Sequence, residues 1–93
     1  MDVSERFGEN LLRIRQARRL SQESLAHRAA IHRTQISLIE SGQRQPRLET
    51  LVKLAGALEV SVSALVEGIV WEPVVEARGG FRISEPPELP RLS

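Results

Sequence analysis

The sequence predicts an all-α domain of five short helices followed by a short extended, hairpin-like appendage. Three observations carry that reading. Apolar residues recur at spacings of three and four along the first two thirds of the chain. The pairs Leu20-Ser21, Ile31-His32 and Val60-Ser61 are each followed, four positions after the polar residue, by Leu25, Ile36 and Leu65. That is the spacing at which the residue before a helix cap folds over the fourth helical residue as a hydrophobic staple. From Ile69 onward helical spacing gives way to β-branched and aromatic residues around glycines.

The first helix is expected to start near Asp2 or Ser4 and to run to about Arg18, with Val3, Phe7, Leu11 and Ile14 on one face. The second, over Gln22–Ala29, buries Leu25, Ala26 and Ala29. The third, over residues 33–41, buries Ile36 and Ile39 and is closed by Gly42 as a left-handed residue. Only Ala30-Ile31-His32 separates these two helices, so their adjacent staples fix the angle between them. A polar loop, Gly42-Gln43-Arg44-Gln45-Pro46, leads to the fourth helix at Leu48–Leu58, with Leu51, Leu54, Ala55 and Leu58 inward. Ser61 caps a short fifth helix that is expected to end at Gly68. Residues 1–68 then form one domain and residues 69–93 its appendage.

In the appendage, Ile69-Val70-Trp71 with Val74-Val75, and Phe81-Arg82-Ile83, are read as two extended segments about a turn at Arg78-Gly79-Gly80. Pro73 interrupts the first and argues for an edge or a bulge. The proline-rich end, EPPELPRLS, is expected to be disordered or polyproline-like. Trp71, Val75, Phe81 and Ile83 are too apolar for a free linker. Either they fold back on the fourth and fifth helices or they meet the same segment of a second subunit. Strand pairing across a two-fold is the preferred reading, which makes these four residues the expected dimerisation segment.

Composition narrows the function classes. The chain of 93 residues has no cysteine, hence no disulfide framework and no thiolate metal site. His27 and His32 stand on different helices and do not form a metal site. No apolar run approaches a membrane span, and MDVSERFGEN is too acidic and polar for a signal peptide, so a cytoplasmic protein is expected. No cysteine nucleophile, glycine-rich phosphate loop or isolated carboxylate pair suggests an enzyme, and no cofactor is called for. Three aromatic residues are too few for a base-stacking platform on single strands. Residues 1–53 carry ten basic side chains against six acidic, and residues 54–93 three against six. A basic N-terminal part with an acidic remainder suits a protein that presents one face to phosphate.

The third helix, held across the second with Arg33, Thr34, Ser37 and Leu38 outward, has a shape that fits the major groove of DNA. Arginine reads guanine through a bidentate pair, Thr and Ser are permissive, and Leu can meet a thymine methyl. Gln22 opens the second helix, where free backbone N–H groups favour a phosphate. Gln43, Arg44 and Arg47 in the following loop suit backbone phosphates, which position a protein without reading sequence.

Together these residues resemble the Cro/C1-type (Xre) helix-turn-helix regulators. Ile14-Arg15 with Leu20-Ser21-Gln22-Glu23, Leu25-Ala26, and Ile36-Ser37-Leu38-Ile39-Glu40-Ser41-Gly42 carry the likeness. Pro46-Arg47-Leu48-Glu49-Thr50-Leu51, Leu54-Ala55, Leu58 and Val60-Ser61 extend it, so that it covers about residues 5–67. The resemblance implies a compact lambda-repressor-like domain that binds double-stranded DNA as a transcriptional regulator, most simply a repressor. It further implies base contacts from Arg33, Thr34, Ser37 and Leu38, a phosphate contact from Gln22, and an ion pair between Arg15 and Glu40 that holds the recognition helix. His32 departs from the Ser or Thr usual at its position, and Arg19 and Ala30 stand where Gly is favoured, which implies positive φ at both. Useful affinity needs two such domains, so a homodimer on a near-palindromic operator is expected. The competing reading is an antitoxin of the same fold whose tail binds a toxin.

Overall fold

The structure is a computed structural model that describes residues 1–73 and 79–84. In chain order they form α1 (Val3–Ala17), α2 (Gln22–Ala29), α3 (Arg33–Glu40), α4 (Leu48–Leu58), α5 (Val62–Leu65), β1 (Ile69–Glu72) and β2 (Gly80–Ile83). The fold class is the one the sequence predicts. Phe7, Leu11, Ile14, Leu25, Ile36, Ile39, Leu54, Leu58 and Leu65 meet in a single buried cluster.

Each helix start follows from its cap. Asp2 and Glu5 form a reciprocal capping box on α1, with Glu5 N–H donating to Asp2 Oδ1 at 2.9 Å and Asp2 N–H to Glu5 Oε1 at 3.1 Å. Ser21 and Ser61 accept from the N–H groups of Ser24 and Ala64. His32 makes no side-chain cap bond on α3, and neither does Arg47 on α4.

The helix ends explain why the turns are so short. Backbone N–H groups of Leu20, Ile31, Gln43 and Val60 reach back to the carbonyls of Arg15, Ala26, Leu38 and Ala55, five residues earlier. The residue before each of these is left-handed: Arg19 (φ 59), Ala30 (φ 56), Gly42 (φ 78) and Glu59 (φ 57). This is the Schellman closure. Leu20, Ile31 and Val60 then pack on the core as the apolar residue preceding the next cap. One residue thus ends one helix and staples the next. Glu59 is a third non-glycine left-handed position, one with no signal in the sequence.

Two helix ends differ from expectation. Ser41 leaves the helix at α3, which ends at Glu40, and α5 ends at Leu65 rather than Gly68. The cause in α5 is a side chain from α1. Asn10 is fully buried, and its Nδ2 donates to Leu65 O at 3.0 Å and to Glu67 O at 2.9 Å. Gly68 follows with φ 83 and turns the chain into β1.

β1 and β2 pair antiparallel with Ile69 opposite Ile83, Val70 opposite Arg82, Trp71 opposite Phe81 and Glu72 opposite Gly80. Gly80, expected in the turn, is therefore a strand residue, because the register set by Ile69 and Ile83 carries pairing that far. Pro73 lies past the last paired residue and interrupts nothing. The hairpin does not fold back chiefly on α4 and α5, the first of the two arrangements expected; its root rests on α1. There the buried Arg6 donates to Ser84 O, and Ser84 N–H donates to Gly68 O at 2.9 Å. Val75 and the last nine residues, with the expectations placed on them, lie outside the described residues.

Candidate nucleic-acid interface

The outer side of α3 is open. Arg33, Thr34 and Ser37 are exposed and Leu38 is half-buried, while Ile36 and Ile39 point into the core. The eight-residue helix is held at both ends. Before its start Ile31 packs on the core cluster that holds Ile36, and its end presses on α1 at Gly8, where a Cβ would stand 2.5 Å from Ile39 O and 2.6 Å from Glu40 O. Only glycine admits that approach.

Glu40, the last residue of α3, is tied to α1 and α2 at once. Arg15 Nε donates to Glu40 Oε2 at 2.6 Å and Arg15 Nη2 donates to Oε1 at 3.0 Å, a bidentate pair with side chains 12% and 6% exposed. Arg15 Nη1 also donates to Leu20 O at 2.8 Å, so the same guanidinium fixes the turn between α1 and α2. Gln22 Nε2 donates to Glu40 Oε1 at 3.0 Å. That orients the Gln22 amide, whose Oε1 accepts from Arg33 Nη1 at 3.3 Å. A chain of contacts therefore runs from the largely buried side chain of Arg15 through Glu40 and Gln22 to the exposed Arg33. The Gln22 link is not visible from spacing, since Gln22 and Glu40 stand eighteen residues apart.

The remaining cations sort by location. Arg6, Arg15, Arg28, Lys53 and Arg82 are paired with carboxylates, whereas Arg33, Arg44 and Arg47 form no ion pair among the described residues. Arg44 and Arg47 flank an open groove of about 600 Å³ between α3 and the start of α4, lined also by Gln35, Ile39, Gln45, Pro46 and Thr50 and by no carboxylate. Gln43 is exposed, and its Nε2 donates to Ser41 Oγ at 2.9 Å. The structure thus brings Gln22 and Arg33 into contact and leaves Thr34, Ser37, Gln43, Arg44 and Arg47 accessible. Among the described residues no group of three or more His, Cys, Asp or Glu side chains could hold a metal ion.

A short helix with an exposed polar face, set across a second helix by buried contacts, is the arrangement of a helix-turn-helix. The helix-turn-helix family model matches residues 11–65 of the chain. The chain belongs to the Cro/C1-type helix-turn-helix family. It is 42% identical over 66 residues to the control protein C.SmaI of Serratia marcescens, spanning 71% of this chain and 79% of that one. It is 41% identical over 59 residues to the immunity repressor protein of Bacillus phage phi105, across 63% of this chain and 41% of that one. Among solved structures, the restriction-modification controller protein C.AhdI from Aeromonas hydrophila superposes with a TM-score of 0.65 at 37% identity, covering 67% of this chain and 94% of that one. The Cro/C1-type family consists of DNA-binding transcriptional regulators rather than enzymes, and its fold is the lambda-repressor-like domain seen here. Among the described residues no helix is long and apolar enough to cross a membrane.

Proposed function

We propose that this DNA-binding regulator acts in the cytoplasm as a repressor, binding a near-palindromic operator as a homodimer with α3 of each copy in the major groove. Residues 1–68 are the DNA-binding unit and residues 69–93 its appendage. Arg33 reads a guanine edge, Thr34 and Ser37 make permissive contacts to neighbouring bases, and Leu38 meets a thymine methyl. Gln22 keeps one amide N–H for a phosphate at the start of α2, while Gln43, Arg44 and Arg47 hold phosphates on the far side of the groove.

One observation carries the reading. Arg33, in no ion pair among the described residues, stands on the exposed face of a helix whose other end is locked by the largely buried Arg15–Glu40 pair, with Gln22 linking the two. A reading head that is fixed before it meets DNA loses little freedom on binding. Selection of bound sites from random duplex DNA tests the proposal. It should return two inverted half-sites about 10–10.5 bp apart centre to centre, or a multiple of that repeat. Enrichment of no duplex sequence contradicts it.

A further inference from the structure

The operator reading leaves His32 unused. It precedes α3 in the cap position, yet it makes no side-chain cap bond and is exposed. Ser, Thr, Asp or Asn at that place would turn an oxygen back onto the N–H groups of the first turn. The imidazole does not, and so it stays open to a partner outside the helix.

Its surroundings are a second open groove, of about 330 Å³, between the turn that precedes α3 and the first half of α4. His32 lines it with Gln35, Arg47, Glu49, Thr50 and Lys53. Gln35, Arg47 and Thr50 also line the groove that Arg44 borders, so Arg47 stands in the wall of both. A phosphate held by Arg47 is therefore beside a groove that His32 lines as well. The charges around the ring are few. Arg33 follows it on α3, and Arg47, Glu49 and Lys53 face the groove from α4. From α2, neither His27 nor Arg28 lines it, and Arg28 pairs with Glu59. Glu49 is the one carboxylate in the groove among the described residues, and it already meets Lys53 Nζ at 3.4 Å. An anion that meets an imidazolium here without leaving another partner has to come from outside the protein.

We propose that His32 is a proton-linked phosphate contact: as an imidazolium it joins Arg47 on the same stretch of DNA backbone, so that affinity for duplex DNA rises as pH falls. The proposal rests on the reading above in one respect, the phosphate on Arg47. Histidine is the side chain whose charge ordinarily changes between about pH 5 and 8. A neighbouring opposite charge favours the charged form, and a backbone phosphate is anionic throughout that range. Formation of the complex then takes up a proton. The sign follows from linkage: the contact is fully present at the acid end and is lost as pH rises through the range where the bound histidine gives up its proton. Arginine does not change charge there, so Arg44 and Arg47 contribute no such dependence. A phosphate contact carries no sequence preference, so the effect belongs to any duplex.

The test measures affinity for the selected half-site duplex and for a random-sequence duplex at about pH 5.5 and about pH 8, with the salt series repeated at each. The intact chain should bind both duplexes roughly 2–5-fold more tightly at the acid pH, the range of one exposed ion pair. Its slope of log affinity against log salt should be steeper there by about one. His32→Asn supplies a good cap, so α3 should stay formed, and its affinity and slope should be the same at the two pH values. His27→Gln, which alters the histidine outside the groove, should behave like the intact chain. Equal affinity of the intact chain at both pH values, or a pH dependence that persists in His32→Asn, overturns the inference. A pH-dependent affinity for random duplex with no sequence selected removes the operator reading and keeps this one. A selected half-site bound alike at both pH values does the reverse, and binding to no duplex at either pH overturns both.

Discussion

Replacing Glu40 by Ala should be among the most damaging single changes to this fold. Its carboxylate accepts two bonds from Arg15 and one from Gln22 with its side chain 6% exposed. Without it, a guanidinium that is itself 12% exposed keeps only the Leu20 carbonyl as a partner. Removing one member of a buried pair costs about 3–5 kcal/mol, because the surviving charge stays desolvated. A domain of this size has about 5–15 kcal/mol in total. At about 4–8 °C per kcal/mol, the melting temperature should fall by about 12 °C or more. Thermal and urea unfolding followed by far-UV circular dichroism measure it. The decisive control is the double change Arg15→Met, Glu40→Leu, which removes both charges and fills their volume. It should be clearly more stable than Glu40→Ala, since no buried ion is left unpaired. A Glu40→Ala protein melting within about 2 °C of the original, or a double variant less stable than the single one, would show that the pair does not anchor α3.

Three further outcomes are expected. Arg33→Ala should cost about 1–3 kcal/mol on the selected duplex and flatten base preference at one position per half-site; equal loss on random DNA would make Arg33 a phosphate anchor only. Arg44→Ala should weaken binding to all duplexes alike and reduce the slope of log affinity against log salt by about one for each phosphate released, and an unchanged slope removes Arg44 from the phosphate-binding set. Gly8→Ala should destabilise by about 1–3 kcal/mol, because its Cβ would overlap the Ile39 and Glu40 carbonyls, and unfolding that matches the original would show that α1 and α3 can separate freely.

What the sequence disclosed was local. Staples, caps and the left-handed turns at Arg19 and Ala30 are written within five or six residues of each other, so helix starts and the exposed face of α3 are legible in the residues alone. The register of β1 and β2 is half legible: Trp71 and Phe81 announce an apolar hairpin, but the pairing of Gly80 depends on Ile69 and Ile83. Arg6 and Asn10 are not legible as buried groups. Their partners, Ser84, Leu65 and Glu67, stand 55 to 78 residues away, and helical periodicity has no signal for a polar side chain that caps carbonyls across such a distance. The Gln22–Glu40 bond is hidden for the same reason, although Gln22 at a helix start and Glu40 opposite Arg15 are each conspicuous in the sequence.

If the α3 face, and not the hairpin, meets duplex DNA, the amides that feel the duplex should map to one side of the domain. Titrating an isotope-labelled chain with the selected half-site duplex and following backbone amide shifts measures this directly. The largest shifts should fall on Gln22, on residues 33–38 and on the loop from Gln43 to Arg47, with Trp71 and Phe81 unmoved on a single half-site. Shifts concentrated on the hairpin while α3 stays silent would contradict it.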